Sequence, residues 1–111
     1  MRDNRIDKRF RKRLSLKYGI DGATKIGFTE DLSDTGIFIR SPVVLPPNSI
    51  LLVELKTLSN EIISLRGRVM WAKKVPQNMM HRIKGGMGLL ITEFLSGEEH
   101  YQELVADRLK R

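Results

Sequence analysis

The sequence contains no cysteine and few aromatic residues, and both shortages narrow what the chain can do. With no Cys among 111 residues, disulfides, thiolate zinc sites and a cysteine nucleophile are excluded. The two histidines, His81 and His100, are too few and too isolated to predict a metal site. Aromatic residues make up only 6%, and no strand pattern repeats them, which argues against a nucleic-acid surface built from stacked bases.

Long apolar runs are also missing. No segment approaches the roughly 20 apolar residues that span a bilayer, and the N-terminus lacks the apolar core of a secretory signal. We therefore expect a cytoplasmic protein with no membrane span. The sequence also lacks a Gly-x-Ser-x-Gly elbow or another recognisable hydrolase signature, so we do not expect an enzyme.

The positive charge of the chain is concentrated at its N-terminus. Residues 1–13 hold seven Lys or Arg against two Asp, a net charge of +5 out of +7 for the whole chain. This segment offers little apolar surface to bury, so we expect a flexible basic arm or a single frayed helical turn. Such an arm predicts an anionic partner: nucleic acid, anionic lipid or a phosphorylated small molecule.

Residues 14–111 are predicted to form a single domain of short strands followed by one helix. Apolar residues alternate with polar ones, as in half-buried strands, and turn residues separate the segments. A Ser-x-x-Glu capping box at Ser96 predicts a C-terminal helix over about 97–110. Its apolar residues recur at helical spacing and are predicted to pack on the sheet: Tyr101, Leu104, Val105 and Leu109. The fold class is therefore all-β with a terminal helix, a small antiparallel barrel of six strands. The predicted strands cover residues 14–18, 23–30, 37–41, 50–56, 62–73 and 87–94.

Two short motifs carry the candidate chemistry. Arg9 and Arg13 lie four residues apart just before the first predicted strand. Asp31, Ser33 and Gly36 form an Asp-x-Ser-x-x-Gly turn between the second and third strands. Taken alone, the arginines are more typical of a solvated basic run, and the turn of ordinary loop closure.

The ordered set of motifs resembles the PilZ domain family. That family is marked by an Arg-x-x-x-Arg segment, an Asp/Asn-x-Ser-x-x-Gly turn, a Gly-x-Val-x-Trp strand and a glycine-rich closing strand. Here the last two correspond to residues 67–71 and 86–91, so the likeness covers nearly the whole chain. The resemblance implies a six-stranded PilZ-like barrel. It also implies a receptor for the bacterial second messenger cyclic di-GMP, in a family that typically controls motility, polysaccharide synthesis or virulence.

The resemblance assigns the arm's arginines to the anionic and guanine groups of this ligand. Guanidinium forks suit phosphodiester oxygens and the O6/N7 edge of guanine, and Arg9 and Arg13 are the residues expected to supply them. Arg11 lies inside the motif and is a further candidate contact, although it is also consistent with a solvent-facing side chain.

The turn and the barrel supply the remaining candidate contacts. Asp31 can accept hydrogen bonds from guanine N1 and N2. Ser33 can donate to a phosphate or support the loop, and Gly36 allows close approach. Trp71 can stack on a guanine or belong to the core.

The expected mechanism is a ligand that bridges arm and barrel, orders the arm and so presents a new surface to a partner protein. No cofactor other than this ligand, and no metal, is expected. Two alternatives remain: a PilZ-fold interaction module that binds no ligand, and a small basic barrel that binds nucleic acid. Intact motifs argue against the first, and the scarcity of aromatic residues against the second.

Overall fold

The structure is a computed structural model that describes residues 9–79, 82 and 85–109. Within these ranges there are seven strands, one turn of 3-10 helix at Gln77–Met79 and one α-helix. The strands are β1 Phe10–Arg11, β2 Ser15–Gly19, β3 Lys25–Leu32, β4 Gly36–Arg40, β5 Ile50–Lys56, β6 Ile62–Lys73 and β7 Gly86–Ser96, and helix α1 is Glu98–Leu109.

Strands β2 to β7 close into a barrel in the order β3-β2-β5-β6-β7-β4, because β4 pairs back onto β3. Every pairing is antiparallel. The predicted all-β fold, a six-stranded antiparallel barrel with a terminal helix, is therefore confirmed. The predicted strand bounds differ from the observed ones by at most two residues at either end.

The barrel interior is filled by the apolar residues of the two-residue repeat. In β5, Leu51, Val53 and Leu55 are fully buried while the residues between them are half-buried or exposed. Burying one such side chain contributes about 1.5–3 kcal/mol, so the alternation fixes which face of each strand points inward.

The structure adds a short strand that the sequence did not predict. In β1, Phe10 pairs with Leu32 and Arg11 with Asp31, on the same edge of β3 that β2 uses further along. Phe10 is partly buried against the core, in the anchoring position that an apolar residue in a folded arm would take. Two residues of the predicted arm, Phe10 and Arg11, are therefore paired with the barrel. The flexibility of residues 1–13 stays a prediction, and residues 1–8 lie outside the described part of the chain.

A buried threonine ties this segment to the barrel. The Thr29 hydroxyl donates to the carbonyl of Lys12 and accepts the backbone N–H of Leu14 at 2.8 Å. The backbone N–H of Thr29 in turn donates to the Leu14 carbonyl at 2.9 Å. These bonds satisfy backbone groups in the gap between β1 and β2, where ladder pairing is interrupted.

Helix α1 packs on the barrel through the residues predicted for that face. Tyr101 is almost completely buried, with its ring centroid 5.3 Å from that of Phe94, and Leu104 and Val105 are partly buried against the core. The predicted last helical residue, 110, lies outside the described residues. Across the described ranges, helices are too short or too polar to cross a membrane.

Tyr18 is a buried titratable residue of the core. Its hydroxyl donates to Ser41 Oγ at 2.6 Å and also contacts the Val43 carbonyl. Burial raises the pKa of Tyr18 above 10.0, and the hydrogen bond to Ser41 opposes part of that rise. The phenol is thus kept neutral, as a core position requires.

Candidate ligand-binding site

A one-residue bulge in β3 sets two neighbouring carboxylates beside the basic arm. Thr29 pairs with Ile39 and Asp31 with Phe38, so Glu30 is the extra residue of the bulge. Asp31 lies 2.6 Å from Arg9, and Glu30 lies 3.4 Å from Arg11 and 3.5 Å from Arg40. The arm is therefore held to the barrel by charge as well as by backbone pairing.

Arg9, Asp31 and Gly36 come together as one cluster. Arg9 Nη1 donates to Asp31 Oδ1 at 2.6 Å, with side-chain exposures of 41% and 23%. A Cβ placed on Gly36 would lie 3.1 Å from Arg9 Nη2 and 2.7 Å from the carbonyl oxygen of Leu89. The glycine therefore lets both the guanidinium and strand β7 come close to the backbone of the turn.

Arg11 and Arg13 each contact a residue of β3: Arg11 contacts Glu30, and Arg13 contacts Phe28. The guanidinium carbon of Arg13 stands 4.1 Å from the Phe28 ring centroid, a cation–π contact, and Arg11 lies 3.4 Å from Glu30. Arg40 also lies 3.5 Å from Glu30. These residues border a shallow groove of about 230 Å³ that holds four cationic side chains and one carboxylate. Its lining consists of Arg11, Lys12, Arg13, Phe28, Thr29, Glu30 and Arg40.

Ser33 faces inward rather than toward the arm. It is fully buried, and its Oγ accepts the backbone N–H of Gly36 at 3.1 Å and that of Thr35 at 3.3 Å. Its carbonyl accepts the hydroxyl of Tyr101 at 2.7 Å. Of the two roles predicted for Ser33, the geometry supports loop support and does not favour direct contact with a ligand.

Replacing Ser33 with alanine is expected to lower the free energy of unfolding by about 1–3 kcal/mol, because the buried N–H of Gly36 and the partly buried N–H of Thr35 lose their acceptor. Ligand affinity should fall less than it does for Asp31→Ala, since the turn is loosened but no contact is removed. Urea unfolding of Ser33→Ala beside Ser15→Ala, an exposed serine of β2, measures the difference. Equal midpoints for the two variants would contradict the supporting role.

Trp71 lies on the outer face of the barrel and contacts Phe38. Their ring centroids are 5.1 Å apart at 56°, and Trp71 remains 46% exposed. Gly88 makes this contact possible, because a Cβ there would lie 2.0 Å from Trp71 Nε1. An exposed tryptophan held against a second ring fits a stacking surface better than a core position.

The registers place these residues in one line across the barrel surface. Paired residue by residue, the row crosses β1, β3, β4, β7 and β6. Its members are Arg11, Asp31, Phe38, Gly88 and Trp71. The structure thus brings an arm arginine, the motif carboxylate and the tryptophan onto one continuous face.

Sequence reasoning missed three residues that shape this face. Glu30 holds two arginines, but a bulge leaves no reliable mark in a single sequence. Phe38 was read only as a strand residue, although its outward position in the alternation of β4 was visible. Tyr101 was predicted for the helix core, and nothing in its spacing indicated a bond to Ser33.

Larger grooves lie beside helix α1 and touch the two motif segments only at Asp34 and Lys12. Their volumes are about 410 Å³ and 440 Å³, and neither is lined by Arg9 or Asp31. Charge and motif residues therefore locate the candidate site better than groove size does. Among the described residues, no group of three or more acidic or histidine side chains is placed to hold a metal ion.

The fold and this face define a small β-barrel module whose surface carries arginines beside an Asp-x-Ser-x-x-Gly turn. The PilZ domain model matches residues 3–107, and the chain belongs to the PilZ domain family. The family consists of receptor and adaptor modules rather than enzymes.

A solved structure with the same fold is the Bacillus subtilis inhibitor of motility (MotI/DgrA). It superposes with a TM-score of 0.73 at 15% identity over 98% of this chain, which shows a shared fold. The chain covers 53% of that protein, about half its length. A comparison with curated protein sequences gives no significant match.

Proposed function

We propose that this PilZ domain binds cyclic di-GMP on the face that contains Arg9, Asp31 and Trp71, and that binding alters how the N-terminal segment lies on the barrel. The observation that carries the proposal is the contact of Arg9 with Asp31 over Gly36, which joins the two family motifs in one place.

The charges of this face match those of the ligand. Cyclic di-GMP carries two phosphodiester groups, and the basic groove around Phe28 supplies four cations against one carboxylate. Charge-assisted hydrogen bonds from guanidinium to phosphate are about twice as strong as neutral ones. Arg13, whose only described contact is with a ring face, keeps its N–H groups available for an anion.

The remaining contacts suit guanine. Asp31 presents a carboxylate that can accept hydrogen bonds from N1–H and the exocyclic amino group, and adenine does not offer that pair of donors. Trp71, half exposed beside Phe38, offers a ring face for stacking. A guanine bound at Asp31 shares or replaces the Arg9 guanidinium, so ligand binding and the position of the arm are coupled.

This coupling supplies a signalling route. On binding, Arg9 exchanges its contact with the Asp31 carboxylate for contacts with the ligand. The N-terminal segment, which β1 pairs with β3, then changes its contacts with the barrel and presents a different surface to a partner protein. Amide hydrogen exchange of residues 1–13, with and without saturating cyclic di-GMP, measures this directly. Unchanged exchange in these residues would contradict the signalling route while leaving ligand binding intact.

The first experiment is calorimetric titration of the purified chain with cyclic di-GMP, beside Arg9→Ala and Asp31→Ala. Each substitution is expected to weaken binding by roughly 10- to 150-fold, because a charge-assisted hydrogen bond contributes about 1.5–3 kcal/mol. Asp34→Ala is the matched control: it removes the same charge from the same turn at an exposed position.

Cyclic di-AMP serves as the second arm of this experiment. It keeps both phosphodiesters but lacks the guanine donors, so it should bind more weakly and lose less on Asp31→Ala. No heat and no thermal shift with cyclic di-GMP at high micromolar concentration would overturn the proposal. Equal weakening by Asp31→Ala and Asp34→Ala would overturn the assignment of Asp31.

A further inference from the structure

Arg68 of β6 lies on the outer face proposed to bind the ligand, outside both the arginine motif and the Asp-x-Ser-x-x-Gly turn, at a variable position of the Gly-x-Val-x-Trp strand. Registers pair Gly36 of β4 with Leu90 of β7, and Leu90 with Arg68. This row runs beside the row that ends in Trp71. Gly36 lies two positions from Phe38 in β4, and Leu90 lies two positions from Gly88 in β7, so both rows lie on the outer face. Two strand spacings, about 10 Å, separate the backbones of Gly36 and Arg68.

Arg68 differs from the other arginines of the strands in having no described partner. Arg40 binds Glu30, and Arg66, two positions earlier in β6, binds Glu93 at 2.7 Å. Within residues 9–79, 82 and 85–109, no carboxylate lies within ion-pair distance of Arg68. Its Nε is shielded from solvent and makes no hydrogen bond in this part of the chain.

A shielded guanidinium nitrogen without an acceptor is unfavourable, and an oxyanion that approaches the Nε edge would remove the deficit. A guanidinium binds phosphate through two parallel hydrogen bonds, one of which can come from Nε. Arg9 lies against Gly36 at one end of the row, and Arg68 is at the other end with Leu90 between them. The Arg9 guanidinium and the backbone of Arg68 therefore lie at opposite ends of one row on the barrel surface.

We propose that Arg68 is a phosphodiester-binding residue of this site, which contacts cyclic di-GMP from the β6 side while the arm arginines contact it from the β3 side. The inference rests on the proposed function and adds a ligand contact outside both motifs. A ligand with two phosphodiesters can engage cations on both sides at once. Arg68 would then help to select a dinucleotide over a mononucleotide.

The test compares Arg68→Gln with Arg66→Gln in titrations with cyclic di-GMP. Both substitutions remove one positive charge from β6 and keep an amphipathic stem that covers neighbouring apolar surface. Arg68→Gln is expected to weaken binding at least tenfold, and Arg66→Gln less than twofold. Arg68→Lys should recover only part of the affinity, because an ammonium group keeps the charge but loses the planar fork.

Two further readouts separate ligand contact from a structural role. Urea unfolding midpoints of Arg68→Gln and the native chain should agree in the absence of ligand. Phosphorus NMR of bound cyclic di-GMP should show a resonance that moves in Arg68→Gln and stays in place in Arg66→Gln. A changed midpoint with an unmoved phosphorus spectrum would assign Arg68 to packing and overturn the inference.

The outcomes also distinguish this inference from the proposed function. Binding by the native chain that is lost in Asp31→Ala but kept within twofold in Arg68→Gln would overturn only the role of Arg68. Absence of binding by the native chain would overturn both. Equal weakening by Arg68→Gln and Arg66→Gln would show that general positive charge, not a contact at Arg68, accounts for the effect.

Discussion

Replacing Gly86 with alanine is expected to lower the free energy of unfolding by about 3 kcal/mol or more. Gly86 opens β7 with φ at +149°, in a region that L-residues rarely adopt. A Cβ there would lie 2.1 Å from the carbonyl oxygen of Ile39 and 2.7 Å from Phe38 Cε1. The strain and the collision act together, and neither neighbour can move without disturbing the β4–β7 pairing.

Gly22 provides the matched control for this substitution. A Cβ on Gly22 would meet nothing within 4 Å, so Gly22→Ala should change stability by less than about 1 kcal/mol. Urea unfolding of the two variants gives the comparison, and loss of a cooperative transition in Gly86→Ala alone would count as support. Similar midpoints for both variants would show that β7 can shift away from β4.

The second large effect is expected at Tyr101, which joins helix α1 to the Asp-x-Ser-x-x-Gly turn. Tyr101→Ala removes a buried aromatic ring and should cost about 3–5 kcal/mol. It also deprives the Ser33 carbonyl of its hydroxyl donor, so the turn that positions Asp31 loses support from below. We expect a lower unfolding midpoint together with weaker binding of cyclic di-GMP.

Tyr101→Phe separates the hydrogen bond from the ring. Keeping the ring against Phe94 preserves packing, so the cost should fall to about 0.5–1.5 kcal/mol. If the hydroxyl positions the turn, ligand affinity should decrease in Tyr101→Phe while the midpoint changes little. Unchanged affinity in Tyr101→Phe would mean that helix α1 supports the barrel without influencing the turn.

Most of the barrel could be predicted because its strands obey a strict two-residue repeat. In β5 and β6 the predicted and observed bounds coincide, since alternating apolar residues and flanking turn residues agree. The helix was equally accessible, because a capping box begins it and Tyr101, Leu104 and Val105 recur at helical spacing.

The candidate site was predicted as a set of residues but not as an arrangement. Motif spacing indicated Arg9 and Asp31, yet only the fold shows that their side chains meet at 2.6 Å. Strand β1 was missed because two residues carry no periodicity, and its attachment depends on the Thr29 hydroxyl from another strand. Long-range contacts of this kind are not encoded in local patterns.

Ser33 also shows that a residue can be predicted from sequence while its role depends on the arrangement in the fold. Its residue type and place in the turn are compatible with phosphate binding or loop closure, and its burial in the fold favours loop closure. In the sequence alone, Arg68 is one of several strand arginines, and the fold distinguishes it by showing that Arg40 and Arg66 bind carboxylates.

Because Glu30 is an extra residue in β3, the charge of the proposed ligand-binding face can change when one residue is inserted or deleted, without a substitution elsewhere. Shortening β3 by this residue would restore unbroken pairing and still leave Asp31 opposite Phe38. The groove would then lose the one carboxylate among its described lining residues, and Arg11 and Arg40 would lose their shared partner. The number of residues between the arginine motif and Asp31 can therefore vary by one without altering the position of the Asp31 carboxylate opposite Phe38. A sequence pattern that fixes the gap between the arginine motif and the Asp-x-Ser-x-x-Gly turn would overlook barrels that differ by this one residue.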